Sequence, residues 1–393
     1  MARASVLTGL DVLVRDGFPP LRGRRVGLVT NPAGVDSSLR HVADLLTASS
    51  GVRLAALFGP EHGFGAEAQD LIGVGDAVHP KYACPVHSLY GDSVESLRPR
   101  RESLRDLDVL VIDLPDIGSR YYTFQATMLF CLEAAAACDL PVMILDRPNP
   151  LDGVTIEGPT IQPGFESFVG IHPISTRHGL TLGELAHLYV AERRIPGQLQ
   201  VVRCEGWKRN QYFDKTGLPW VLPSPNMPTL ETAIVYPGQC LIEGTHLSEG
   251  RGTTRPFELF GAPWVVPERV LRRLDADLPG VTLRPVTFQP TFHKFAGQRC
   301  GGFQLHVTDR SRFRPVRTTL ALLAALRAES DGQFRWRTER YEFVDDKPAI
   351  DLLFGSSRER MAIEAGQSAA EISREWEREE ADFQKRREPY LLY

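Results

Sequence analysis

A chain of 393 residues is longer than one ordinary domain, so two packed units are expected. With 42% hydrophobic and 24% charged residues, it has apolar material for a core in each unit and is not a disordered polypeptide. Basic residues number 45 against 49 acidic ones, a net charge of -4 with no basic stripe, which argues against a nucleic-acid partner.

The amino terminus, MARASVLTGLDVLVRDG, has a short apolar stretch broken by Asp11, unlike the apolar region of a signal peptide. No apolar run reaches the length of a membrane-spanning helix, so no membrane partner is expected. Cys84, Cys131, Cys138, Cys204, Cys240 and Cys300 form no C-x-x-C pair, with Cys131 and Cys138 two turns apart on one predicted helix. Reduced, mostly buried thiols in a cytoplasmic protein are expected.

The first 150 residues alternate apolar strands with amphipathic helices. RRVGLVTN (24–31) reads as a strand and is followed by a helix near 36–49; RLAALFG (53–59) and PVHSLYG (85–91) are the next strands. DVLVIDL (108–114) precedes a helix over about 123–138, and PVMILD (141–146) closes the series. Strands separated by helices imply an α/β fold, a doubly wound parallel sheet with helices on both faces. Next comes a helix over 181–194 with Thr181 as N-cap and Glu184 three residues on, a capping box. A proline-rich stretch (220–228), a glycine-rich loop (243–254), strands near 281–288 and 301–308, and helical runs near 316–328 and 369–386 follow. This part reads as a second, smaller α+β domain, and the expected division is 1–245 and 246–393.

In open parallel sheets ligands bind beyond the carboxyl ends of the strands. Those ends carry Thr30-Asn31, then GPEHG (59–63), then DLPDIGSR (113–120), then DRPN (146–149), four loops with polar or ionisable groups on one edge. The dinucleotide fingerprint is missing, because the first strand runs into TNPAGVD, and there is no P-loop. A nucleotide cofactor is therefore not expected.

GPEHGFG (59–65) fixes Glu61 and His62 in a sharp turn beside glycines that admit a ligand, an arrangement suited to general acid or base work. Its plain alternative is a turn in which Glu61 caps the next element. DLPDIGSRYYTF (113–124) offers Asp116, Arg120, Tyr121 and Tyr122, and DRPNPLDG (146–153) offers Asp146, Arg147 and Asn149. Arginine can fork onto a carboxylate and tyrosine can stack on a sugar, although Asp–Arg pairs are as often structural. RHGLT (177–181) places His178 just before a helix amino terminus. SPNMP (224–228) holds Asn226 in a rigid frame, where it can read hydroxyl or acetamido groups. EGTHLSEGRGTTRPFE (243–258) gathers Glu243, Thr245, His246, Ser248, Glu249, Arg251, Thr253 and Thr254, either a ligand loop or a solvated surface one. No H-E-x-x-H or G-x-S-x-G spacing supports a metal hydrolase or a serine nucleophile.

In order, these motifs resemble the NamZ-type exo-β-N-acetylmuramidases, bacterial glycoside hydrolases first catalogued as a domain of unknown function. The match runs from GLDVL (9–13) and GRRVGLVTNPAGVD (23–36) through GPEHG, SLYG, DLPDIGSRYYTF, LDRPNP, EGP and SFVG, and on through RHGLTLGELA, SPNMP, EGTHLSEGRGTTRPFE and GAPW to YLLY (390–393). It covers essentially the whole chain. The resemblance implies a Rossmann-like catalytic domain, a smaller carboxy-terminal domain with a cleft between them, and no metal or organic cofactor. It implies release of terminal MurNAc from the non-reducing end of a MurNAc-terminated disaccharide or glycan fragment, by a monomer or homodimer. Glu61 stands where the family has its catalytic glutamate, with His62 keeping the pattern beside it. Many relatives carry an export signal, and none is expected here. NPAG (31–34) stands where relatives often have N-Q/H-T/S-G, so a polar contact from position 33 is lost with Ala33.

Glycosidases ordinarily use two carboxyl groups flanking the scissile bond. Glu61 is the expected acid, with Glu243, Glu249 and Asp116 as candidate partners and the 2-acetamido group of the substrate as an alternative nucleophile. Arg120, Arg147 or Arg251 is expected to bind the lactyl carboxylate that distinguishes MurNAc from GlcNAc. Asn31, Asp116, Arg120, Tyr122, Asp146, Arg147, Asn149, His178, Asn226, Glu243, Thr245, Ser248, Glu249, Arg251 and Thr253 are expected to bind substrate. A muropeptide-binding protein without turnover, or an amidase or esterase acting on cell-wall sugars, stands as the alternative.

Overall fold

The computed structural model describes residues 6–65, 77–274 and 278–393; Met1–Ser5 of the amino-terminal stretch lie outside them. Its larger sheet has seven strands: β1 (Arg25–Thr30), β2 (Arg53–Gly59), β3 (Ala77–Val78), β4 (Pro85–Ser88), β5 (Val109–Asp113), β6 (Val142–Leu145) and β7 (Leu199–Val202). Their spatial order is β3-β4-β2-β1-β5-β6-β7. All neighbours pair in parallel except the antiparallel edge β3–β4.

The central strands are apolar along their whole length because both faces are covered. Alternate residues of β5 and β6 divide between two packed clusters. Val109, Val111, Met143 and Leu145 meet Leu10 and Leu13 of α1 (Gly9–Arg15) and Val42 and Leu46 of α2 (Val42–Ala48) on one face. Leu110, Ile112, Val142 and Ile144 share the other cluster with Met128 and Leu129 of the helix Phe124–Ala136 and Leu185 and Leu188 of the helix Leu182–Arg193. The period of two along a strand thus produces the doubly wound, Rossmann-like arrangement. The predicted capping box is present, with Thr181 and Glu184 satisfying each other's backbone amides.

A three-stranded antiparallel sheet follows, formed by β8 (Leu259–Ala262), β9 (Val281–Phe288) and β10 (Cys300–Val307) in the order β8-β10-β9. Phe260, Phe303 and Leu305 on this sheet and Val316, Leu320 and Leu323 on the helix Pro315–Ala328 belong to the same apolar cluster as the larger sheet's second face. One continuous core therefore joins the two halves.

Some elements differ from expectation. The helix predicted from 36 starts only at Val42, because the Asp36 carboxylate accepts the Ser38 and Arg40 amides at 2.9 and 2.8 Å and closes a turn first. The short strands β3, β7 and β8 carry too few residues to show a period, and no strand was expected there. The last predicted helix is two, Ala369–Arg374 and Trp376–Arg387. Cys138 falls just beyond the end of its helix at Ala136, and all six cysteines are free.

Candidate active site

At Gly59 a side chain would meet the Phe64 amide nitrogen at 2.5 Å, so only glycine lets β2 end in so abrupt a return. Pro60-Glu61-His62-Gly63 then forms a turn closed by the Gly63 amide donating to the Pro60 carbonyl at 2.9 Å. His62 adopts φ +72° and Gly63 φ +81°. A non-glycine residue held in the left-handed region stores strain, which concentrates at functional sites. The turn presents Glu61 and His62, 6% and 8% exposed, to a cavity of about 530 Å³.

Segments distant in sequence build the rest of that cavity. The loop after β5 supplies Tyr121, Tyr122 and Thr123, and the Thr123 hydroxyl donates to Glu61 Oε2 at 2.7 Å. The proline frame supplies Ser224 and Asn226. Tyr236 comes from the helix Leu230–Gln239 and Glu243 from the turn just beyond it. The glycine-rich loop adds Arg251 and Phe257, and a late turn adds Tyr341 and Glu342.

Arg251 Nη2 lies 2.6 Å from Glu243 Oε1, and the Tyr341 hydroxyl donates to Glu243 Oε2 at 2.8 Å, so both oxygens of Glu243 are held. Arg251 Nε also lies 3.2 Å from Glu249, a carboxylate further clamped by Lys294 at 3.0 Å and His293 at 3.3 Å. Burial alone would raise the pKa of Glu249, but Lys294, His293 and Arg251 together hold it well below the usual carboxylate range. Burial pushes the phenols of Tyr121, Tyr122, Tyr236 and Tyr341 upward. They stay protonated at neutral pH, with the Tyr121 hydroxyl donating to the Pro237 carbonyl and that of Tyr341 to Glu243. The wall thus combines carboxylates, one guanidinium and neutral donors around an apolar floor, the composition of a site that binds a polar ring and does proton transfer.

Of the residues singled out in the sequence, Glu61, His62, Tyr121, Tyr122, Asn226, Glu243 and Arg251 meet at this cavity. Others brace it or lie elsewhere. Glu249 stands behind Arg251. The Asn31 side chain donates to the Pro223 carbonyl at 2.8 Å, tying the loop after β1 to the proline frame. Arg120 is buried and donates to the carbonyls of Ile174, Leu353 and Phe354 at 2.9, 2.7 and 2.9 Å and to that of Pro159. Burial lowers its pKa to about 10, which leaves it charged at neutral pH. Asp146 anchors the helix Leu182–Arg193 by accepting the Thr181 hydroxyl and the Gly183 amide at 2.7 and 2.8 Å. Asn149 accepts the Leu151 amide and donates to the Leu180 carbonyl, both at 2.9 Å. Thr245, Ser248 and Thr253 hydrogen-bond to backbone groups within their own loop.

Arg147 and Asp116 line a different cavity, about 570 Å³ and largely apolar, between the loops after β1, β5 and β6 and the segment Phe213–Pro223. Arg147 is paired there with Asp113 at 2.6 Å. Asp116 Oδ2 accepts the Gly118 amide at 2.7 Å and stands 3.5 Å from His178 Nε2. The four loops do share one edge of the sheet, but they serve two cavities.

Thr123, Ser224, Tyr236, Tyr341 and Glu342 were not singled out in the sequence. The first two sit inside motifs quoted for their neighbours. Tyr341 and Glu342, in RYEFVDDK, carry no spacing signal that could have found them. Among the described residues no group of three or more His, Cys, Asp or Glu is arranged to hold a metal, and no helix is long and apolar enough to cross a membrane.

Comparison with known proteins places this architecture. Residues 26–231 match the family model "Exo-beta-N-acetylmuramidase NamZ, N-terminal" and residues 234–393 its C-terminal counterpart. "Peptidoglycan beta-N-acetylmuramidase NamZ" of Bacillus subtilis (strain 168) is 44% identical over 392 residues, covering 100% of this chain and 92% of the relative. The crystal structure of a DUF1343 family protein from Bacteroides fragilis NCTC 9343 matches with TM-score 0.89 at 34% identity over 100% of both chains. A second from the same organism gives TM-score 0.77 at 29% identity over 99% of each. The chain belongs to the NamZ family of exo-β-N-acetylmuramidases.

Proposed function

We propose that this chain is an exo-acting glycosidase that releases terminal β-linked MurNAc from the non-reducing end of peptidoglycan fragments, with MurNAc-GlcNAc as its minimal substrate. The observation that carries the reading is the cavity in which Glu61, held by Thr123 on a strained turn, faces a buried guanidinium and several neutral phenols. Glu61 is the general acid: it gives its proton to the glycosidic oxygen as the C1–O bond breaks. His62 accompanies it on the same turn. Arg251 is the one guanidinium lining the cavity among the described residues, and it receives the lactyl carboxylate. GlcNAc lacks that carboxylate and would forgo this contact, which gives discrimination. Asn226 and Tyr122 read the hydroxyl and acetamido groups. Residues 1–245 form the catalytic domain in this reading, and residues 246–393 complete the cleft with Arg251, Phe257, Tyr341 and Glu342.

The test is release of reducing MurNAc by purified protein from MurNAc-GlcNAc, with GlcNAc-GlcNAc and GlcNAc-MurNAc as controls. Release from the first alone is expected. Binding of the first without product would support a sensing protein instead.

A further inference from the structure

Glycosidases ordinarily pair the acid with a second carboxylate, and Glu243, Glu249 and Asp116 each have other commitments. Glu243 has one oxygen on Arg251 and the other under the Tyr341 hydroxyl. Glu249 is held by Arg251, Lys294 and His293, outside the residues that line the cavity. Asp116 lines the other cavity.

Glu342 lines the same cavity as Glu61, is 7% exposed, and accepts the Tyr90 hydroxyl at 3.2 Å. The backbone that carries it is unusual. Tyr341 and Val344 exchange both backbone hydrogen bonds, at 2.8 and 3.0 Å, around a two-residue turn. Its central residues, Glu342 and Phe343, have φ +45° and φ +71°. Two successive positive φ values define a mirror-image turn, the position where Asn-Gly is strongly favoured and a bulky pair is strained. Both disfavoured side chains have a task. Phe343 packs edge-on against Tyr90 and Phe168, with ring centres 5.6 and 6.2 Å apart. Glu342 reaches the cavity.

We propose that Glu342 is the second catalytic carboxylate, acting at the anomeric carbon on the face opposite the leaving group. This rests on the glycosidase reading above. In the balanced step, a water oxygen bonds to C1 while Glu342 takes its proton. The C1–O bond to the departing sugar breaks, and its oxygen receives the proton of Glu61. The strained turn is then the means by which a carboxylate from the carboxy-terminal half is held in the same cavity as Glu61.

The geometry gives an unusual test, because Glu342→Asn places the residue the turn prefers where the mechanism needs a carboxylate. Its unfolding temperature should equal or exceed that of the wild type, while kcat on MurNAc-GlcNAc falls by about 10²–10⁴-fold. Glu342→Ala should be as inactive and should regain turnover on adding sodium azide, which attacks C1 in place of the activated water. The product should be the α-linked MurNAc azide, identified by the anomeric proton coupling. Wild-type activity in Glu342→Asn, or a β-linked azide from Glu342→Ala, overturns the assignment. So does a folded Glu342→Ala that azide fails to rescue. The wild type assayed alongside separates the two readings: if it turns over and Glu342→Asn does so equally, only this assignment fails. An inactive wild type overturns both.

Discussion

Replacing Arg251 with methionine keeps much of the side chain's bulk and removes its charge. Arg251 and Glu243 are 8% and 9% exposed as side chains and lie 2.6 Å apart, so the substitution strands a buried carboxylate. Breaking a buried pair by removing one partner costs about 3–5 kcal/mol. The lower end applies, since Glu243 keeps the Tyr341 hydroxyl at 2.8 Å and Glu249 keeps Lys294 at 3.0 Å. With an unfolding entropy of about 2.1 cal/mol/K per residue, ~3 kcal/mol in a chain this long lowers the unfolding temperature by ~4 °C. Adding Glu243→Gln removes the stranded charge and should recover more than half of that loss, a non-additivity that identifies the pair. In turnover assays Arg251→Met should lose ~100-fold in kcat/KM on MurNAc-GlcNAc, the scale of a lost charged hydrogen bond. Thermal unfolding of the two variants and the wild type decides the matter. A drop below about 1 °C for Arg251→Met, or no recovery in the double variant, would show that the guanidinium does not compensate Glu243 and refute the reasoning.

Three other outcomes are expected. Glu61→Gln should lower kcat by ~10²–10⁴-fold yet shift the unfolding temperature by no more than ~1 °C, because the amide oxygen still accepts the Thr123 hydroxyl; retained turnover would remove Glu61 from the chemistry. The Glu249 carboxyl is held below its ordinary value of 4.5, so its contribution to stability is complete above about that pH and is lost as pH falls towards the depressed folded value. The stability gap between wild type and Glu249→Gln should therefore close on acidification from pH 7 towards about pH 3, and a gap that widens would contradict the sign. Arg120→Leu should leave four buried carbonyls without their donor and destabilise by ~4 kcal/mol or more. A stable Arg120→Leu variant that had lost only substrate binding would return Arg120 to the site.

The doubly wound sheet was legible because β1, β5 and β6 are short apolar runs separated by amphipathic helices, and burial on both faces demands that pattern. The edge strand β7, LQVV, is half-buried apart from the exposed Gln200 and has no comparable signature. At the site, Glu61 was legible because glycine and proline punctuate the chain around it. Arg120 and Arg147 looked like Arg251 in the sequence, since all three lie in polar loops beside glycine or proline. What separates them is the partner: four backbone carbonyls for Arg120, Asp113 for Arg147, and a cavity-lining glutamate for Arg251. Those partners lie far away in the chain or within a loop whose path depends on the whole fold, so local pattern cannot distinguish them.

Glu342 was hidden for a different reason. A positive-φ turn announces itself in sequence by Asn or Gly, and RYEFVDDK has neither. The same inversion recurs around this one cavity: His62 at φ +72°, Phe257 at φ +63° and Glu342 at φ +45° all line it, and none is glycine. Each such residue costs about 1–3 kcal/mol and persists only where surrounding packing overdetermines it. Phe257 is pinned by Tyr236, with ring centres 4.8 Å apart, and the turn of Glu342 by Phe343 against Tyr90 and Phe168. The strain follows from placing side chains into a cavity at points where the backbone alone would favour glycine. A sequence read for comfortable local structure will overlook such positions.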